Sequence, residues 1–524
     1  MSFDLLIRGG TLIDGSRGHR RRADVGVRGG RIAAIGSLAD ARSAATIDAA
    51  GKIVAPGFID VHNHSDGWLV RRPHFTAKTT QGFTTELLMS DGISYAPVDE
   101  HTARDWLFYL RSLDGLRLDE YRGWKSLADF LAVLDRRNVQ NAAVQVPYAN
   151  VRSLVCGFGR VAVDDFHQRQ INAEIRRGME AGAVGLSTGL DYIVQCFATT
   201  DELVDACRVV AEYGGVYVTH MRYKRGLMPA LAEAVEIGRR SGVKVHISHL
   251  KAPSPAQAEE VLTWIDSVAR NEVDFSFDVY PYQPGSTMLS YLLPYEAWED
   301  GPLAAPGRLR EPRLRALFRA GLETYRLDLD HLRIAWVAGK DNARHQGRRL
   351  SEYVAETGLP PDEALTNLLI EERFAVLLVF DEGDDALVRP FLAHDLYMMG
   401  TDGIYFDDGH VHPRVYGSAG RLLGPCVRDW KLFSLEDAVW KLSGRAAERF
   451  GLTGRGVLRE GGFADVVVFD AETITDRATY DDPHQFTAGV EHVLVNGVPI
   501  LANRAPIEAF DGDLPGRALR FNKR

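Results

Sequence analysis

Cysteine is scarce, with four residues in 524. Cys156, Cys196, Cys207 and Cys426 lie far apart, and none forms a Cys-x-x-Cys pair. This excludes a disulfide framework and a thiolate metal cluster, and it fits a reducing compartment. No apolar run is long enough to span a bilayer, and the N-terminal MSFDLLIRGG lacks the hydrophobic core of a secretory signal. The expectation is a cytoplasmic protein with no membrane partner. A long basic run is also missing: 61 basic against 71 acidic residues leave a net charge of -10. Nucleic acid is therefore not expected as a partner. The one basic cluster, Arg17–Arg22, reads as a solvated loop.

What remains is ordinary globular composition, 45% hydrophobic and 25% charged. The length admits two or more domains, or one large barrel with additions. The first fifty residues read as short strands punctuated by glycine pairs, as in DLLIRGGTLID and ADVGVRGGRIAAIG. The same texture returns in GVLREGGFADVVVFD and GVEHVLVNGVPIL. Residues 1–55 and 455–510 are expected to form one small β-sandwich domain built from both chain ends.

Between them, apolar strands alternate with amphipathic helical stretches. Eight strand candidates stand out: Ile53–Val61, Thr84–Ser90, Ala142–Val146, Ala183–Ser187, Val216–His220, Val243–Ser248, Val273–Tyr280 and Leu396–Thr401. Thr199 and Glu202 fit a capping box, and the helical pattern MPALAEAVEIGRRSG stops at Gly242. Eight strands with helical crossovers predict an α/β fold, a (β/α)8 TIM barrel over 56–454. The stretch after the seventh candidate is too long for one crossover, which predicts a lid or subdomain around 285–395.

In such barrels the chemistry sits at the C-terminal ends of the strands. The stretch APGFIDVHNHSD places His62 and His64 there, two apart and so on one face of a strand. Asp91, His220, His249 and Asp402 end four further candidates. Each alone reads as a capping or hydrogen-bonded residue. Together they read as a metal site of imidazole and carboxylate ligands, suited to zinc or a similar divalent ion. Zinc brings the pKa of a bound water near ~7, and Asp402 is placed to move the proton to a leaving nitrogen. His246, three before His249, reads as a buried, hydrogen-bonded histidine. His410 and His412 repeat the i, i+2 spacing in a glycine-rich loop, and read as loop or substrate-contact residues.

The segments PGFIDVHNHSD, THMR, ISHLK and GTDG resemble the amidohydrolase superfamily. GAVGLSTGLDY, DVYPYQPGST, HPRVYGS and GRGVLREGGFADVVVFD are similar to the N-acyl-D-amino-acid deacylases within it. The resemblance implies a zinc-dependent hydrolase, with one or two ions or another divalent metal. Its substrate would be a small N-acylated D-amino acid, split into a carboxylate and a free D-amino acid. It implies that His220 and His249 hold the tighter metal, and that His62, His64 and Asp402 line a second. Tyr192, Lys251, Tyr282 and Arg414 would bind the substrate, and a lysine with an arginine suits its α-carboxylate. The family places a cysteine where this chain has Asp91, so the implied bridging ligand is a harder carboxylate. Ser418–Arg421 departs from the family pattern as well. A hydantoinase or dihydropyrimidinase type of cyclic-amide hydrolase is the alternative, although strand four, AVGLSTG, lacks the lysine those relatives use. A silent scaffold is disfavoured because every candidate ligand is present. Oligomeric state is open, a homo-oligomer included.

Overall fold

In the computed structural model, which describes residues 2–325 and 327–521, Gly57 divides the first strand candidate in two. A Cβ there would lie 2.3 Å from Oγ1 of Thr84, so glycine is what lets the two segments approach. On one side, Ile53–Pro56 pairs with Thr11–Leu12 and with Val466–Phe469. On the other, Phe58–Asp60 (β1) pairs in parallel with Phe83–Leu88 (β2).

From β2 the pairing follows chain order. Asn141–Val144 (β3) lies beside β2, and the Val184 N–H donates to the Val144 carbonyl at 2.9 Å. Gly185–Gly189 (β4) pairs in parallel with Val146–Pro147, just past β3. Val216–His220 (β5), Lys244–Ile247 (β6), Phe275–Val279 (β7) and Tyr397–Met399 (β8) follow, each parallel to the one before. The Val61 N–H then donates to the Met399 carbonyl at 3.2 Å, which brings β8 back to β1. The fold is mixed α/β. Each of the eight candidates overlaps one of these strands, with ends displaced by a few residues.

The helices follow the local signals, with one correction. Thr199 caps the helix Thr200–Glu212 (α1) by accepting from the Glu202 N–H at 3.1 Å. Glu202 does not reach back to close the expected box; its carboxylate takes the Tyr148 hydroxyl and the Arg152 guanidinium, 2.7 Å away. A buried Arg152 left without that partner would cost more than a second cap bond contributes. Leu227–Ser241 (α2) ends as expected at Gly242, in the left-handed region at φ 77°.

Apolar side chains from β1, β2, β3, β5 and β8 pack into one cluster, Ile59, Leu87, Ala143, Val216, Val218 and Met398, together with Ala446 and Phe450. This packed cluster leaves the polar chemistry to the C-terminal ends. A separate core joins the chain ends, with Leu5, Val25 and Val54 against Val466, Val468 and Leu494. Between β7 and β8 the chain adds a three-stranded antiparallel sheet of Ser286–Met288, Val376–Phe380 and Leu332–Val337. Among the described residues, no helix is long and apolar enough to cross a membrane.

Candidate metal centre

The strand ends bring six of the anticipated residues together. His62 and His64 follow β1, Asp91 follows β2, His220 ends β5, His249 follows β6 and Asp402 follows β8. Their ligand atoms form two groups, His62 with His64 and Asp91, and Asp91 with His220 and His249, and within each group the atoms lie within 4.8 Å of one another. Asp91 belongs to both. Its Oδ1 lies 3.5 Å from His62 Nε2 and 3.8 Å from His249 Nε2, and its Oδ2 lies 3.7 Å from His64 Nε2. Asp402 Oδ1 sits 3.6 Å from His62 Nε2 and 3.3 Å from His64 Nε2. Nδ1 of His220 is 3.0 Å from His249 Nε2.

The donor set fits a cation. Both ring nitrogens of His62, Oδ1 of Asp91 and Nε2 of His220 are buried without a hydrogen-bond partner. Buried polar atoms are otherwise nearly always bonded, and two of these, His62 Nε2 and Asp91 Oδ1, face each other across the space between the ligands, 3.5 Å apart. Imidazole and carboxylate without thiolate suit zinc or a harder divalent ion.

Strained backbone aims the ligands. Asp91, His249 and Asp402 have φ of 58°, 40° and 49°, in the left-handed region that costs a non-glycine residue about 1–3 kcal/mol. A hydrogen bond holds each one. Gln195 Nε2 donates to the Asp91 carbonyl at 2.8 Å, Asp278 accepts the His249 N–H at 2.8 Å, and the His62 carbonyl accepts the Asp402 N–H at 2.7 Å.

Three carboxylates absent from the sequence reading face the far nitrogens of the histidines. Asp278 Oδ2 is 3.6 Å from His62 Nδ1, Asp114 Oδ1 is 3.7 Å from His64 Nδ1, and Asp191 Oδ2 is 3.4 Å from His220 Nε2. Such partners set the tautomer and basicity of a ligating imidazole. The surplus of carboxylates shows in the electrostatics. Burial disfavours a charged His62, yet Asp91, Asp278 and Asp402 outweigh it and raise its pKa to about 10. Burial likewise works against ionised Asp402, but Arg414, His64 and His62 hold it well below the usual carboxylate range. His249 moves the other way, lowered to about 3 by burial and the neighbouring His220. The same carboxylates that favour a charged His62 would favour a divalent cation between them.

The anticipated substrate contacts divide. Arg414 is fully buried, with Nη1 2.9 Å from Asp402 Oδ2. Lys251 Nζ donates to the Tyr280 hydroxyl at 2.6 Å and to the Gln283 carbonyl at 2.9 Å. Both cations lie on the Tyr280 ring, 4.1 Å and 4.3 Å from its centroid. Tyr192 packs its ring 4.8 Å from that of His220. Tyr282 stands further out, its hydroxyl donated to Asp476 at 3.0 Å and its ring beneath Arg421.

His246 is bonded to Ser276 at 2.8 Å and to Asp278 at 2.9 Å, as a buried structural histidine should be. His410 reaches the Asp481 carbonyl, and His412 lies buried between the Pro284 carbonyl and the Tyr480 hydroxyl. Neither joins the ligand groups among the described residues. A cavity of about 590 Å³ opens elsewhere, between Gly214, Lys244 and Phe521, and carries none of the candidate ligands.

A model of the amidohydrolase family matches residues 45–272 and 387–501. A D-aminoacylase from Alcaligenes xylosoxydans xylosoxydans is 38% identical over 522 residues, 99% of this chain and 97% of that protein. An N-acyl-D-glutamate deacylase from the same organism is 36% identical, covering 99% and 96%. Among solved structures, the N-acyl-D-glutamate deacylase of Bordetella bronchiseptica, complexed with zinc and a phosphonate mimic of the tetrahedral intermediate, superposes with a TM-score of 0.83. It is 33% identical and covers 99% of this chain and all (100%) of that one.

Proposed function

The chain belongs to the amidohydrolase family, and from that premise we propose that it hydrolyses N-acyl-D-amino acids with a zinc-type divalent cation, releasing a carboxylate and a free D-amino acid. The observation that carries this reading is the sharing of Asp91 between two histidine-containing ligand groups at the strand ends. Near-full-length similarity to a D-aminoacylase supports the substrate class.

His62, His64, Asp91, His220, His249 and Asp402 would hold the metal. When bound, such a cation acidifies water and polarises the amide carbonyl. Asp402 supplies the proton path. Its Oδ2 is pinned by Arg414, so Oδ1 faces the ligand nitrogens, takes a proton from the attacking water and delivers it to the departing amide nitrogen. Lys251 and Arg414 supply the positive charge that orients the substrate carboxylate; Tyr192 and Tyr282 are assigned to the pocket wall around it. In this reading the ring of parallel strands is a (β/α)8 barrel over 56–454, and residues 1–55 with 455–510 form the small β-sandwich. The insertion around 285–395 is the lid, supported by the Ser286 carbonyl, which accepts from Arg414 at 3.4 Å.

The test is elemental analysis of the purified protein together with a panel of N-acyl amino acids in both enantiomers. Zinc or a related divalent ion should be present, D-enantiomers should be turned over, and a chelator should abolish turnover. Hydrolysis confined to hydantoins or dihydrouracil would overturn the reading.

A further inference from the structure

Beneath the ligands lies a fully buried lysine that the reaction above does not use. Lys78 sits in a short helical turn, Thr76–Thr79, and its side chain is 1% exposed. It donates to Asp60 Oδ2 and, at 2.5 Å, to Thr401 Oγ1, and it lies 3.9 Å from Glu86. We propose that Lys78 is a positioning residue that sets the distance between His62 and Asp402 across the seam where β8 meets β1.

The seam is laddered on both sides of Thr401, and beyond Asp402 the residues Gly403–Ile404 pair in parallel with Asn63–His64. The Val61 N–H reaches the Met399 carbonyl, and the Asp402 N–H reaches the His62 carbonyl. Between these rungs the Thr401 N–H has no backbone acceptor across the seam; it donates to Asp60 Oδ1 at 2.9 Å. The same oxygen accepts the His62 N–H at 3.3 Å. Thr401 Oγ1 adds a bond to Asp60 Oδ2 at 2.6 Å and accepts the Gly403 N–H at 3.2 Å. One carboxylate thus holds the residue before Asp402 and the backbone of His62 itself. The Lys78 ammonium fixes that carboxylate and Thr401 together, and the two side chains it governs end 3.6 Å apart.

Energetics argue for placement rather than bulk stability. A buried ion pair gains little over well-packed apolar residues, because both charges must first lose their water. Here a second carboxylate, Glu86, is also buried nearby, and it takes hydrogen bonds from Gln140 at 3.1 Å and from Ser65 at 3.4 Å. A cluster with one cation and two acids is costly scaffolding. It is a good device for fixing a carboxylate in one orientation, because a charge-assisted bond is shorter and more directional than van der Waals contact.

The proposal rests on the metal-hydrolase reading. It is tested with the full-length chain as wild type, Lys78→Met and Thr401→Val, each loaded with zinc. Zinc affinity is read by competition with a chromophoric chelator. Turnover of an N-acetyl-D-amino acid gives kcat and KM, and melting of the metal-free proteins gives Tm. All binding and rates are measured well below Tm.

Lys78→Met should lower zinc affinity by about 10-fold or more, the size typical when a group supporting a metal ligand is lost. It should lower kcat similarly and leave KM within a few-fold. Thr401→Val, which keeps shape and charges, should move the same quantities less. A lower Tm with wild-type zinc affinity and kcat, or a change in KM alone, would overturn the proposal. Should Lys78→Met fail to fold, Thr401→Val decides by the same criteria. A wild type that neither binds zinc nor turns over the substrate defeats the underlying reading instead.

Discussion

Arg414 and Asp402 stand side by side, Nη1 of one 2.9 Å from Oδ2 of the other, at the edge of the ligand cluster. The pair commits one oxygen of Asp402 and leaves Oδ1 to face His62 and His64. Asp402→Asn keeps the volume and one oxygen but removes the basic site. The metal content should stay near wild type while kcat falls by roughly 10²–10⁴, the range for loss of a general base. Rates close to wild type in a steady-state assay would rule out the proton-transfer role.

Asp91 is the residue the two ligand groups have in common. Asp91→Asn is the informative change, because asparagine tolerates the left-handed φ of 58° that alanine resists. Elemental analysis of the variant should show most of the bound metal lost, with secondary structure unchanged by circular dichroism. Full metal retention would remove Asp91 from the ligand set.

Lys251 and Arg414, both on the Tyr280 ring, place two basic groups beside the reacting centre, and burial and Arg414 draw the Lys251 ammonium down to about 7. A hydrogen bond to a charged group contributes about 1.5–3 kcal/mol, so Lys251→Met should raise KM for N-acetyl-D-amino acids by roughly 10–100-fold. The corresponding amides, which lack the carboxylate, should be affected far less. Equal losses on both substrates would place Lys251 outside the carboxylate site.

Away from the centre, burial pulls the Lys441 ammonium down to about 7, although it donates to the His394 carbonyl. The unfolded lysine titrates near about 10.4. Between these values the unfolded chain holds a proton that the folded chain has released, so this group makes stability rise with pH across the window, and its cost is greatest below it. Relative to wild type, Lys441→Met should therefore melt highest at pH 7 and lose that advantage toward pH 10. A Tm difference that does not vary with pH would contradict the assignment.

Much of the centre was readable because every ligand candidate ends an apolar run, and a strand end is where a ring of parallel strands collects polar groups. His62, His64, Asp91, His220, His249 and Asp402 carry that signature in the bare sequence. Asp278 carried a weaker one. In FSFDV, Ser276 and Asp278 alternate with Phe275, Phe277 and Val279, the period of a strand with one polar face. Asp114 and Asp191 carried none, since both lie outside the ring strands and reach His64 and His220 only through the tertiary fold. The first strand candidate ran through Gly57 because apolar character continues across it; the break is steric, set by Thr84 in another strand. The Tyr282 hydroxyl donates to Asp476, a partner 194 residues away that no local pattern announces.

The pairing of Ile53–Pro56 with Val466–Phe469 has a consequence for biosynthesis. The opening strands emerge from the ribosome long before their partner exists, and at about 5–20 residues per second the wait lasts tens of seconds. Throughout that interval Val54 lacks the valines and leucine that later cover it, and the nascent segment is an exposed, sticky edge. Yield in a heterologous host should therefore depend on chaperone supply and translation speed more than on the melting point of the finished molecule.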